Sequence, residues 1–97
     1  MKAVFVVFNQ ALTEQVEQAF SSLAIHGYSQ WPEMHGAGSM KGEPHLGTHI
    51  WPTLNTGMLT IVEDNVVPKL LSKIQKIDKS AERQGMHAFV WNIEAMV

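Results

Sequence analysis

Three features of the sequence predict one small α+β domain, with four antiparallel strands in a sheet and two helices on one face. Four short runs rich in β-branched and aromatic residues read as strands. Two longer stretches repeat apolar residues at three- and four-residue spacing and read as amphipathic helices. The two kinds of segment alternate as β-α-β-β-α-β along the chain.

The first run, Ala3 to Phe8, is continuously apolar, which suits a strand buried on both faces. It opens after one lysine and breaks at Asn9-Gln10 with no small-residue cleavage site, so it reads as a strand and not as a signal peptide. Leu12, Val16, Ala19, Phe20 and Leu23 then form one helical face, with Glu14, Gln15, Glu17, Gln18 and Ser21 on the other. Gly27 is the expected stop, with His26 beside it as a cation at the helix C-terminus. Tyr28 to Met34 reads as a second strand, in which Pro32 requires an edge or a bulge. Thr56 to Glu63 is the third. Asp64 or Asn65 is the expected cap of the second helix, and Pro68 fits its first turn. Val67, Leu70, Leu71, Ile74 and Ile77 form its apolar stripe. Gly85 interrupts the pattern, and Met86 to Ile93 is the fourth strand. Two right-handed β-α-β halves in this order give the ferredoxin-like arrangement. Depending on register, Phe5, Val7, Leu59, Ile61 and Trp91 are the candidates for the sheet face away from the helices, and an apolar uncovered face is usually buried in an oligomer.

With 97 residues the chain makes a single domain, 1–97. Charged residues are 16% and the net charge is −2, so there is no basic surface for a phosphate backbone and nucleic acid is not an expected partner. The absence of cysteine excludes disulfides, Cys-ligated metal and thiol chemistry, and it is compatible with a cytoplasmic location. No apolar stretch is long enough to span a bilayer.

The stretch between the second and third strands, 36–55, is far longer than a turn requires, and long connections are more often functional than filler. It opens Gly36-Ala37-Gly38-Ser39-Met40-Lys41-Gly42. Its continuation carries His45 and His49, four residues apart, with His35, Glu43, Met34 and Met40 nearby in sequence. Pro44, Gly47 and Pro52 argue against a helix there, but the two imidazoles can converge in a folded loop to hold a divalent metal such as Zn or Cu. The alternative is that they are solvated loop residues. Trp51, between prolines and glycines, reads as a docking anchor if its indole is exposed, while Trp31 and Trp91 read as core or interface residues. His87 reads as a structural histidine.

The Gly-x-Gly-x-x-Lys-Gly pattern of residues 36–42, placed after the second strand, resembles the base of the T-loop in the PII-like signalling proteins, the superfamily of the nitrogen regulatory protein PII. The Val66-Val67-Pro68 helix start and the β-α-β-β-α-β order fit as well, so the resemblance covers nearly the whole chain. It implies a homotrimer of non-enzymatic regulators, a ligand at the subunit cleft, and residues 36–55 as the T-loop that docks a partner such as a membrane transporter. On the family pattern the ligand-binding residues are Gly36, Gly38, Lys41, Gly42 and Gly85, with Arg83 able to meet a phosphate beside Gly85, and the loop's own metal candidates are His35, His45 and His49. The implied ligands are an adenine nucleotide or a divalent metal. Short divergent members of the family are associated with heavy-metal efflux, which the histidines make relevant.

The chain also departs from the family. The nucleotide-binding B-loop, Thr-Gly-x-x-Gly-Asp-Gly-Lys-Ile, is replaced here by Ser80-Ala81-Glu82-Arg83-Gln84-Gly85-Met86-His87-Ala88, which keeps only the glycine at 85 and the strand that follows. The glycine-rich anion nest is lost with it. The loop has no tyrosine, so uridylylation of the usual kind is excluded. Two other classes share the topology: small dimeric ferredoxin-like enzymes of monooxygenase or isomerase type, and copper-tolerance proteins of the CutA type. The chain shows no paired acid and base, no nucleophile constellation and no cofactor motif for the former.

Overall fold

The computed structural model describes residues 1–37, 54–81 and 85–97. Its elements are β1 (Lys2–Asn9), α1 (Thr13–Ser22), β2 (Ser29–Met34), β3 (Asn55–Val62), α2 (Val67–Ser80) and β4 (Met86–Asn92). A short 3-10 turn leads into each helix, Gln10–Leu12 before α1 and Asp64–Val66 before α2. The four strands form one antiparallel sheet in the order β2-β3-β1-β4. The predicted fold class and element order are those of the structure.

Register decides which side chains meet the helices. Val4, Val6 and Phe8 of β1 stand beside Met58, Thr60 and Thr56 of β3 and beside Ala88 and Met86 of β4. They join Leu12, Val16 and Phe20 and, from α2, Val67, Leu70 and Ile74 in a single buried core. Two inward threonines satisfy their hydroxyls. Thr60 Oγ1 donates to the Gly27 carbonyl at 2.7 Å, and the Thr56 and Thr13 hydroxyls lie 3.3 Å apart.

Alternation sends Phe5 and Val7 to the opposite face, where they meet Leu59, Gly57, His87 and Phe89. Nothing in the chain covers this face among the described residues. Trp31 is 46%, Phe89 54% and Trp91 47% exposed. Within one chain the helix side of β1 is fully buried, while on this side Ala3 is buried and Phe5 and Val7 only partly so, and the expectation of burial on both faces is met in part. Gly57 has a steric role here. A β-carbon on it would lie 2.6 Å from Met34 Sδ and 3.3 Å from the Phe5 ring, so glycine lets both lie over the backbone. Trp31, opposite Gly57, meets Phe5 edge-on with ring centroids 6.2 Å apart.

Pro32 lies on an edge strand and also within a bulge. Three steps of β2, Trp31 to Met34, face two steps of β3, Gly57 to Asn55, and Glu33 takes the left-handed φ of 59° that absorbs the extra residue.

Both helix ends differ from the sequence expectation. Gly27 does not stop α1. The helix ends at Ser22, and Ala24 turns the chain with φ 57°. Ile25 N–H donates to Phe20 O at 2.9 Å and Ala24 N–H to Ser21 O at 3.0 Å, a Schellman motif with alanine in the usual glycine place. His26 lies beyond this turn and is no C-terminal cation of the helix. We expect Ala24→Gly to stabilise the fold by about 1 kcal/mol, because the left-handed region costs a residue with a β-carbon about that much. A rise in the urea midpoint checks it, and an unchanged or lower midpoint would count against the motif's strain.

Asp64 does not cap α2 with its side chain, and neither does Asn65. The Asp64 carboxylate instead takes the Met1 ammonium at 3.0 Å and Lys2 Nζ at 3.8 Å. The hydrogen bond from the ammonium holds its pKa below the ordinary carboxylate value, and Lys2 adds to the effect. Asn9 does cap, through Oδ1, which accepts the Ala11 N–H at 2.9 Å.

Candidate functional site

One end of the sheet holds the nominated residues that are described, His35, Gly36 and Gly85. There β1 and β2 end and β3 and β4 begin. The last residue of β1 and the first of β3 are both asparagine, Asn9 opposite Asn55. Gln10 N–H donates to Leu54 O at 2.9 Å, which ties the end of the 36–55 stretch to the turn that enters α1. On the other side of β3, Gly36 continues β2 and lies against Asn55. A β-carbon at position 36 would overlap the Asn55 side-chain amide, so a larger residue there would have to displace that side chain. Gly85 stands immediately before β4 with φ 72°, a conformation in which glycine carries no steric penalty.

Gly36 and Gly85 share this end of the sheet but not the same edge. Gly36 follows β2 and Gly85 precedes β4, the two outer strands. Three strand spacings separate these edges, about 14 Å in all. The core strands lie between them, so one chain does not bring these two candidate residues together. A groove of about 250 Å³ borders the β4 edge, between that strand and α2, lined by Gln75, Asp78, Met86 and His87.

His35 is exposed beside Gly36. Among the described residues no group of three His, Asp or Glu side chains is arranged to hold a metal. Gly38, Lys41, Gly42, His45, His49 and Trp51 lie outside the described residues, and so does Arg83. His87 stacks on Phe89, with centroids 6.1 Å apart and planes at 23°, and belongs to the open aromatic face. Sequence reasoning did not single out three contributors to this part of the molecule. Asn9 carried a signal, since an asparagine just before an apolar periodic segment is a helix-start signature. Asn55 and Phe89 carried none, because their places follow from strand register.

The family model described as nitrogen regulatory protein P-II matches residues 1–97. The chain belongs to the P-II family. Solved structures of P-II-like proteins share the fold at low identity. CPII from Thiomonas intermedia K12, bound to ADP and bicarbonate, superposes with a TM-score of 0.76 at 20% identity, covering 95% of this chain and 84% of that one. A second structure from the same organism, bound to ADP, AMP and bicarbonate, gives a TM-score of 0.72 at 18% identity, with 95% and 88% covered. A putative PII-like signaling protein from Thermus thermophilus gives 0.67 at 22% identity, with 95% and 85% covered. Comparison with curated protein sequences finds no match. In this P-II family member, His35 and Gly36 at the loop base and Gly85 before the last strand are the nominated site residues whose backbone is described. None of its helices, among the described residues, is long and apolar enough to cross a membrane.

Proposed function

We propose that this P-II family member is a non-enzymatic signalling module that works as a homotrimer. It binds an adenine nucleotide in the cleft between neighbouring subunits, and it changes its docking to a partner protein through residues 36–55. The observation that carries this reading is the open aromatic sheet face together with the positions of the two glycines. Phe5, Leu59, Phe89, Trp31 and Trp91 present an apolar face that no helix covers among the described residues. When the sheets of several subunits close on one another, the β2 edge of one chain can approach the β4 edge of the next. Gly36 and Gly85 then meet across subunits, which one chain does not allow.

The ligand chemistry fits an anion. The backbone of Gly36, Gly38 and Gly42 with Lys41 from one subunit, and Arg83 and Gly85 from the next, would supply N–H groups and two cations to phosphates. The P-II-like neighbours from Thiomonas intermedia K12 bind ADP, which favours a nucleotide as the first ligand to try. Zn²⁺ or Cu²⁺ on His35, His45 and His49 is the other ligand class. In this reading 1–97 is one domain, 36–55 acts as the T-loop, and the partner is a protein such as a membrane transporter met from the cytoplasmic side.

Native mass spectrometry of the protein alone and with ADP, ATP, Zn²⁺ and Cu²⁺ tests the whole proposal. The expected result is a trimer that takes up ADP in steps, with uptake reduced at least tenfold by Arg83→Ala, about 1.4 kcal/mol. A trimer that takes only metal moves the ligand to the histidines. A monomer or dimer that binds neither overturns the reading.

A further inference from the structure

The basic residues of this chain are segregated. α2 holds four of its seven lysines and arginines and only one of its nine acidic residues, although the chain as a whole is negative. Lys69, Lys73 and Lys76 recur at four and three residues, so they share one side of the helix. That side borders α1. A groove of about 360 Å³ runs between the two helices, lined by Gln15, Gln18 and Ser22 of α1 and by Lys73, Lys76 and Ile77 of α2. Among the described residues that line it, the only charges are the two ammoniums. Among the described residues the ion pairs within 4.0 Å involve Met1, Lys2 and Asp64, and none of the α2 lysines has a carboxylate partner. Uncompensated cations set beside amide and hydroxyl groups over an apolar floor form a surface complementary to carboxylates.

We infer that the α1/α2 groove docks an acidic segment of a partner protein, with its carboxylates on Lys73 and Lys76 and a small apolar side chain over Ala19 and Ile77. The α2 lysines stand on a helical rise of about 1.5 Å per residue, which places Lys69 to Lys76 over about 10 Å. Glutamates four residues apart on a helical segment match that repeat. An anionic membrane is the less suitable occupant. In the proposed trimer the sheets face the axis, so the three α2 stripes point in three directions, and a flat surface meets one of them at a time. This exclusion of the membrane rests on the trimer reading, but the groove and its charges do not.

The test is a ¹H–¹⁵N NMR titration of the full chain with a capped, alanine-based helical peptide bearing glutamates four residues apart. The same peptide with glutamines is titrated in parallel, and so are vesicles of equimolar phosphatidylglycerol and phosphatidylcholine. We expect the glutamate peptide to shift the resonances of Gln15, Gln18, Ser22, Lys73 and Lys76, and binding to weaken on adding salt. The Lys73→Gln/Lys76→Gln variant, with its melting curve checked, should bind at least tenfold more weakly, while Lys2→Gln binds as the parent does. Equal binding of the glutamine peptide, shifts outside the groove, or an unaffected double variant would overturn the inference. Vesicle binding without peptide binding would overturn the choice of occupant. Light scattering on the same sample separates this result from the assembly proposal. A monomer that binds the peptide refutes only the trimer, and a trimer that does not bind refutes only the groove.

Discussion

Phe89→Asp is expected to convert the assembled protein to monomers without unfolding it. Phe89 lies on β4 opposite Phe5, on the face that no helix covers, and it is more than half exposed within the chain. Its loss therefore removes little from the fold of one subunit, about 0.5 kcal/mol on the scale of surface substitutions. In the proposed trimer the same position would be desolvated. Trp31, Phe89 and Trp91 each expose about half of a side chain that can bury about 200 Å², which gives about 300 Å² per subunit and about 7 kcal/mol of burial before the cost of association is subtracted. A carboxylate placed within that surface adds an unpaired buried charge to the lost contact, a cost of several kcal/mol. Size-exclusion chromatography with light scattering reads the mass, and far-ultraviolet circular dichroism reads the fold. Gln15→Glu on the outer surface of α1 adds the same charge and should leave the mass unchanged. A Phe89→Asp protein that keeps the parent mass would show that the open face is not the assembly surface.

Phe20→Ala should be the most damaging single change within the subunit. Phe20 is fully buried in the core with Val16 and Leu70. Its ring also meets Tyr28 edge-on, with centroids 5.5 Å apart, and its carbonyl accepts the Ile25 N–H that closes the turn after α1. Truncation of a buried phenylalanine costs about 3–5 kcal/mol in transfer and cavity terms. A domain of ordinary stability has about 5–15 kcal/mol in total. The variant is thus left marginal, and Tyr28 and Ile25 lose the packing that holds the chain between α1 and β2. Urea unfolding at one fixed protein concentration measures the loss, since assembly makes the midpoint concentration-dependent. Phe20→Leu fills most of the volume and should recover more than half of it. A loss below about 2 kcal/mol for Phe20→Ala would mean that the cavity collapses at little cost.

Periodicity made the fold readable. The apolar stripes of the two helices each point to one buried face, and four β-branched and aromatic runs mark the strands. Pro32 announced an edge or a bulge, and it occupies both. The helix ends were less legible, because several residues can do the same job. Ala24 adopts the turn that a glycine would take at lower cost, so the search for glycine pointed too late in the chain, and Asp64 was drawn to the terminal ammonium instead of to a backbone cap. The loop base was visible as a glycine pattern, and Gly36 lies so close to Asn55 that a β-carbon there would push the Asn55 amide aside. The relation between Gly36 and Gly85 was not visible, because it depends on strand order across the sheet and not on spacing along the chain. The open face was half visible. Phe5, Val7, Leu59, Ile61 and Trp91 were expected on it, while Phe89 joins through its register with Phe5.

The width of the sheet between Gly36 and Gly85 has a genetic consequence. If each cleft borrows one wall from each of two neighbours, a defect in the β2 wall and a defect in the β4 wall are not equivalent lesions. A gene copy damaged at Gly36 and another damaged at Arg83, expressed in the same cell, would produce mixed assemblies in which some clefts inherit both sound walls. Two alleles that are each inactive alone would then complement one another, whereas two alleles with damage to the same wall would not.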